Sequence, residues 1–168
     1  SPQMTEQISR GLLTAELEQT TVYFSHYLFE AAYKLRQPDL LLRRLPYWFE
    51  LPAQGFRTVP ERPEPSRSDC HGWGAHPYYH FFSSILGIRP ACFGFRTVEI
   101  SPMPGILKQV SGTLVHPWGE IKVALDGDDA VVKLPETLKG IFQYGNYRTF
   151  IHGDEQKIAI GECLETIS

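Results

Sequence analysis

The chain has 168 residues, 42% of them hydrophobic and 21% charged, with a formal net charge of -3. That balance excludes a disordered, collagenous or disulfide-dense chain, and its interspersed acids and bases leave no basic stripe for nucleic acid. No apolar run approaches the roughly 20 residues of a membrane span and no export signal is visible, so neither nucleic acid nor membrane is an expected partner. Cys70, Cys92 and Cys163 form no CxxC pair and fit unpaired thiols in the cytoplasm.

Residues 15–36 contain no Gly or Pro and place Tyr23, Tyr27, Ala31 and Leu35 at i+4 steps, which predicts a helix. Val22, Phe24, Leu28, Phe29 and Ala32 spread its apolar character around the circumference, so burial between layers is expected. Pro38 opens a shorter helix in "PDLLLRRLPYWFE", disturbed at Pro46. Four prolines, Pro52, Pro60, Pro63 and Pro65, make residues 52–68 extended or irregular. A loop of that length, anchored by a third helix over residues 73–86, is expected to be ordered and functional.

After "GIRP" the period changes. "RTVEIS", "KQVSGTLV", "GEIKVAL", "AVVKL", "GIFQY", "YRTFIH" and "KIAIG" read as short strands, with turns signalled at Asp126-Gly127 and Gly145-Asn146. The predicted class is α+β: helices in residues 1–90, then an antiparallel β-sandwich of jelly-roll type in residues 91–168.

The densest chemistry is "TVPERPEPSRSDCHGWGAHPYYH", residues 58–80. His76 and His80 are four apart and would share a helix face, with Cys70 or His71 near. No Glu follows His76 as in an HExxH helix and no second ligand cluster is legible, so no metal and no cofactor are predicted. In an extended segment Glu61 and Glu64 would lie on one side about 9 Å apart. That separation suits inverting glycosidases, but two acids on one strand cannot flank a sugar from opposite faces, so at most one is catalytic. Otherwise both are solvated loop acids beside Arg57, Arg62 or Arg67. Trp73, between Gly72 and Gly74, is the better ligand-facing ring, because aromatic walls beside carboxylates stack on sugar faces. Phe81 and Phe82 read as core. Trp118 and His116, in "VHPWGE", read equally as turn and packing residues or as sugar contacts, and neither is named as a site.

"YFSHYLFEAAYK", then the Thr-x-x-Glu loop, "SRSDCHGW" to "AHP", and "LGIRP" before "GFRTVEISP", together resemble the C-terminal part of bacterial α-L-rhamnosidases of glycoside hydrolase family seventy-eight. The resemblance implies the last helices of an (α/α)6, six-hairpin barrel followed by a C-terminal β domain. It implies hydrolysis of terminal α-L-rhamnosides with inversion, Glu61 as general base and His76 lining the rhamnose pocket. Trp73 is expected to bind substrate beside them. The family's general acid lies much earlier in the barrel, and nothing in residues 1–50 matches it.

Twelve barrel helices with connectors need at least roughly 200 residues. The expectation is therefore a fragment, inactive or nearly so alone, whose partners are rhamnose-containing glycosides and the missing N-terminal part of the barrel. Exposed helical faces also predict self-association. The rival expectations are a carbohydrate-binding or interaction module, and a fragment of another (α/α)6 glycosidase.

Overall fold

A computed structural model describes residues 2–14 and 18–161, and the chain divides into two compact units at residues 80 and 81. The first unit holds α1 (Pro2–Thr14), α2 (Ser25–Leu35), α3 (Pro38–Leu42), α4 (Pro46–Glu50), a 3-10 turn at Gly72–Ala75 and α5 (His76–His80). No described helix is long and apolar enough to cross a membrane.

The helix expected over residues 15–36 is shorter. Residues 15–17 lie outside the described residues, and α2 begins only at Ser25. Thr21 explains the late start: its hydroxyl accepts from the Phe24 N–H at 3.2 Å and its carbonyl from the Ser25 N–H at 2.9 Å. Threonine hydroxyls that bond the nearby backbone favour helix starts over helix interiors. At the other end Arg36 is left-handed, φ 55°, and the N–H groups of Arg36 and Gln37 close onto the carbonyls of Tyr33 and Ala32. Pro38 and Pro46 each open a helix, which divides the predicted second helix into α3 and α4.

Burial of α2 between layers is not met. Ser25, Phe29 and Ala32 are buried, with Val22 just before the helix, and Leu40, Leu41, Leu45 and Leu51 complete the core of this unit. Tyr23, Phe24 and Tyr27 face solvent, at 41%, 57% and 53% exposure. The apolar circumference read from the sequence is thus a core stripe plus an open aromatic face.

The proline-rich segment folds back instead of extending. The Glu61 N–H donates to the Ser68 carbonyl and the His71 N–H to the Val59 carbonyl, both at 2.8 Å, so its two arms meet. Gly74 permits this closure: a Cβ there would lie 2.4 Å from Val59 Cγ1 and 3.2 Å from the Pro60 carbonyl oxygen.

The second unit comprises a π-type turn (Phe81–Ile85), β1 (Ile88–Pro90), a 3-10 turn (Phe93–Phe95), β2 (Thr97–Ile100), β3 (Gln109–His116), β4 (Gly119–Asp126), β5 (Asp129–Tyr144) and β6 (Tyr147–Ala159). All six strands join one sheet. β6 follows β5 along one edge, while the other edge of β5 is shared end to end by β4 on residues 129–133 and β2 on residues 139–142. The register shifts between Leu134 and Lys139, and here the sheet curls. Pro135 sits in that irregularity, where a missing N–H is tolerated.

Two expectations are corrected. The pieces "AVVKL" and "GIFQY" are one strand, as are "YRTFIH" and "KIAIG", because a bulge interrupts the alternation without ending the pairing. The sheet is also mixed, not antiparallel throughout: β2 pairs with β5 in parallel, an arrangement allowed by the long crossover that carries the β3–β4 hairpin. The turns at Gly127 and Gly145 fall where predicted, both glycines having positive φ. Val98, Ile100, Ile121, Val123, Val132 and Phe142 lie at the centre of the core, and Phe82 packs against it as expected.

Candidate active site

Glu61 stands on the outgoing arm of the folded-back proline-rich loop, with little of its side chain exposed. Arg67, opposite it, donates from Nε to Glu61 Oε2 at 3.0 Å and from its terminal nitrogen to Oε1. This two-pronged contact suits the planar guanidinium. The Arg67 hydrogen bonding holds the Glu61 carboxyl below its ordinary range, with smaller contributions from the charge of Arg67 and from His71 and Arg62. Glu61 is therefore a firmly ionised carboxylate. Glu64 makes a local turn instead, accepting from the Ser66 N–H at 2.8 Å.

His71, on the other arm of the same loop, belongs to an aromatic surface. Its ring lies 4.2 Å from that of Trp73, which packs edge-on to Tyr23 at 5.4 Å, and Tyr23 in turn contacts Phe24 and Tyr27 at 5.3 and 5.9 Å. Trp73 is 46% exposed, so the indole is anchored on one side and open on the other. The Tyr23 and Tyr27 hydroxyls lie 3.3 Å apart, and that hydrogen bond raises the Tyr27 phenol above its usual value.

His76 occupies a deeper layer. Its Nε2–H donates to the Val22 carbonyl at 3.0 Å, and its ring packs among Phe29, Trp48, His80 and His26 at centroid distances of 5.2, 5.3, 5.6 and 5.7 Å. Burial pushes its imidazole below the usual value, keeping it neutral. With Nε2 carrying the proton, Nδ1 bears a lone pair, buried and without a hydrogen-bond partner among the described residues. Trp48 braces the 3-10 turn by donating its indole N–H to the Gly74 carbonyl at 2.7 Å.

The structure thus sets Glu61 and Trp73 in one folded-back segment, with His71 packed on Trp73, and places His76 beneath the surface. Sequence reasoning gave His71 no defined role and missed Tyr23, Tyr27 and His26 as neighbours of the loop. Only the "YFSHY" run signalled them, and nothing local reveals which ring meets Trp73 some 50 residues away. In the sheet unit, His116 and Trp118 form a turn: the Trp118 N–H donates to His116 Nδ1 at 3.1 Å, and His116 Nε2 bonds the Phe95 carbonyl.

No protein-family model matches the sequence, and no curated protein matches it. Solved structures do. The α-L-rhamnosidase of Aspergillus terreus superposes with a TM-score of 0.77 at 19% identity, covering 95% of this chain and 21% of that one. The family 78 rhamnosidase of Bacillus sp. GL1 gives 0.64 at 24% identity, covering 84% and 17%. The α-L-rhamnosidase of Dictyoglumus thermophilum gives 0.65 at 16%, covering 82% and 17%. The chain spans about a fifth of the length of these enzymes. At such identities the likeness establishes the fold, and it points to the same proteins as the sequence blocks: this chain has the α+β fold of one part of family 78 α-L-rhamnosidases.

Proposed function

We propose that the chain is the part of a rhamnoside-cleaving glycosidase that carries the general base. In this reading residues 1–90 supply the last helices of an (α/α)6 barrel and residues 91–168 its C-terminal β-sandwich domain. The observation that carries it is Glu61, an ionised carboxylate clamped by Arg67 in the folded-back loop that leads to the half-exposed Trp73. Glu61 would accept a proton from the attacking water, and the open face of Trp73 would stack on the apolar face of the sugar. His76 serves as floor, tying α5 to the chain before α2 through the Val22 carbonyl.

Inversion needs a second carboxyl across the scissile bond, to protonate the leaving oxygen. Its place in this reading is a part of the barrel outside the 168 residues, so the chain alone binds without turning over. Two measurements test this. The purified chain should release no phenol from an aryl α-L-rhamnoside beyond that released by Glu61→Gln, and robust turnover would overturn the fragment reading. Calorimetry with L-rhamnose should show weak heat that Trp73→Ala abolishes. Heat that survives Trp73→Ala and is reproduced by residues 91–168 alone would instead support a carbohydrate-binding module. The open face of Tyr23, Phe24 and Tyr27 is expected to drive self-association, and a strict monomer in light scattering at high concentration counts against that part.

A further inference from the structure

His76 and His80, one helical turn apart on α5, offer only two ligands, too few to hold an ion. The fold supplies a third from α2. One ring nitrogen from each of His26, His76 and His80 lies within 4.8 Å of the others. His26 Nδ1 and His80 Nε2 are already 3.0 Å apart. Nitrogens bound at 2.0–2.1 Å around a tetrahedral ion are about 3.4 Å from one another. One pair is therefore in place, and modest side-chain rotation closes the rest. We propose that these three histidines form a binding site for a divalent first-row transition metal ion of the zinc class, with His26 Nδ1, His76 Nδ1 and His80 Nε2 as donors.

The surroundings fit. Metal-bound imidazoles commonly give their second nitrogen to a carbonyl or a carboxylate, which fixes tautomer and orientation. Here the Val22 carbonyl accepts from His76 Nε2, and Glu30 Oε1 lies 3.9 Å from His80 Nδ1. The unpartnered lone pair at His76 Nδ1 is the second sign, since a buried acceptor without a donor is costly and a cation would satisfy it. His80 is fully buried, whereas His26 and His76 are half-buried. A trio of imidazoles selects zinc, cobalt, nickel or copper over calcium or magnesium, which require oxygen donors. On binding, the proton shared by His26 and His80 moves through solvent to the outer nitrogen of His26. The inference stands apart from the rhamnoside reading, and it uses residues of the first unit alone.

The test is a titration of the whole 168-residue chain, stripped with a chelator, with Co²⁺ and then Zn²⁺. Saturable binding of one ion is expected, with the visible band of tetrahedral Co²⁺, displaced by Zn²⁺. His26→Gln and His80→Gln should each weaken binding at least about tenfold. Because His80 is buried and its variant could misfold, the half-buried His26 decides, with its fold checked by circular dichroism. Replacing Cys70, Cys92 and Cys163 by serine should leave the affinity unchanged. The proposal is overturned by absence of saturable binding, by full affinity in folded His26→Gln, or by loss of binding in the cysteine variant.

Discussion

The contact of Glu61 with Arg67 fixes the charge of the proposed base and also restrains it. A carboxylate hydrogen-bonded in its charged form resists protonation, so the depressed value makes Glu61 ionised at neutral pH but less basic than a free carboxylate. Arg67→Met removes the largest cause of that depression. The Glu61 carboxyl, followed by carbon-13 NMR titration, should then titrate higher, near an ordinary glutamate. The sign for stability follows: a depressed carboxyl favours the folded state above its unfolded value, and that benefit fades as pH falls through the folded value. In Arg67→Met this acid-side loss should shrink. The energy is small, because Arg67 is mostly exposed and water screens the pair. An unchanged Glu61 titration in the variant would mean that the pair does not persist in solution.

Among the elements, the loop closure at Gly74 is the most sensitive feature near Glu61. A methyl group there meets Val59 Cγ1 at 2.4 Å, and Val59 is tied to His71 by a backbone hydrogen bond, so it has little room to retreat. Gly74→Ala is expected to destabilise by about 1–3 kcal/mol, as overpacking does. Gly72→Ala, with nothing within 4 Å of the new methyl group, should change stability by less than about 0.5 kcal/mol. Urea denaturation of the two variants reads the difference, and equal effects would show that the loop does not close against the 3-10 turn. The two glycines flank Trp73 symmetrically in sequence, and only the fold separates their roles.

The same limit explains what the sequence made legible. Proline positions located the starts of α3 and α4, and glycine-bearing turns located the β4–β5 and β5–β6 hairpins, because these signals are local. The length of β5 was hidden, since the bulge after Leu134 breaks the period-two alternation while β6 continues to pair. Glu61 and Trp73 were legible as residue types in a proline- and glycine-rich loop. The partners that define their chemistry, Arg67 for one and Tyr23 for the other, depend on how the loop folds back and on where α2 is placed.

At the scale of the whole molecule, the two units differ in what holds them. The sheet unit has β5 hydrogen-bonded on both edges and a continuous core from Val98 through Val132 to Ile151. Gly140 lets β2 approach closely, since a Cβ there would lie 2.1 Å from the Val98 carbonyl oxygen. The helical unit instead relies on α2 and on the five-residue helices α3, α4 and α5, too short to persist without tertiary packing. Openings of a protein follow such differences, and segments with few buried contacts exchange through local events well below the global free energy. Hydrogen exchange of the whole chain, read by mass spectrometry, should therefore show the slowest amides in β4, β5 and the facing part of β6, with α3 to α5 faster by at least an order of magnitude. Zinc at the three histidines should slow α2 and α5 selectively, since an ion that binds only the folded form raises the cost of opening the segments that ligate it. Helical amides as slow as those of Phe142 and Ile151 before any metal is added would refute the difference and make the chain one cooperative unit.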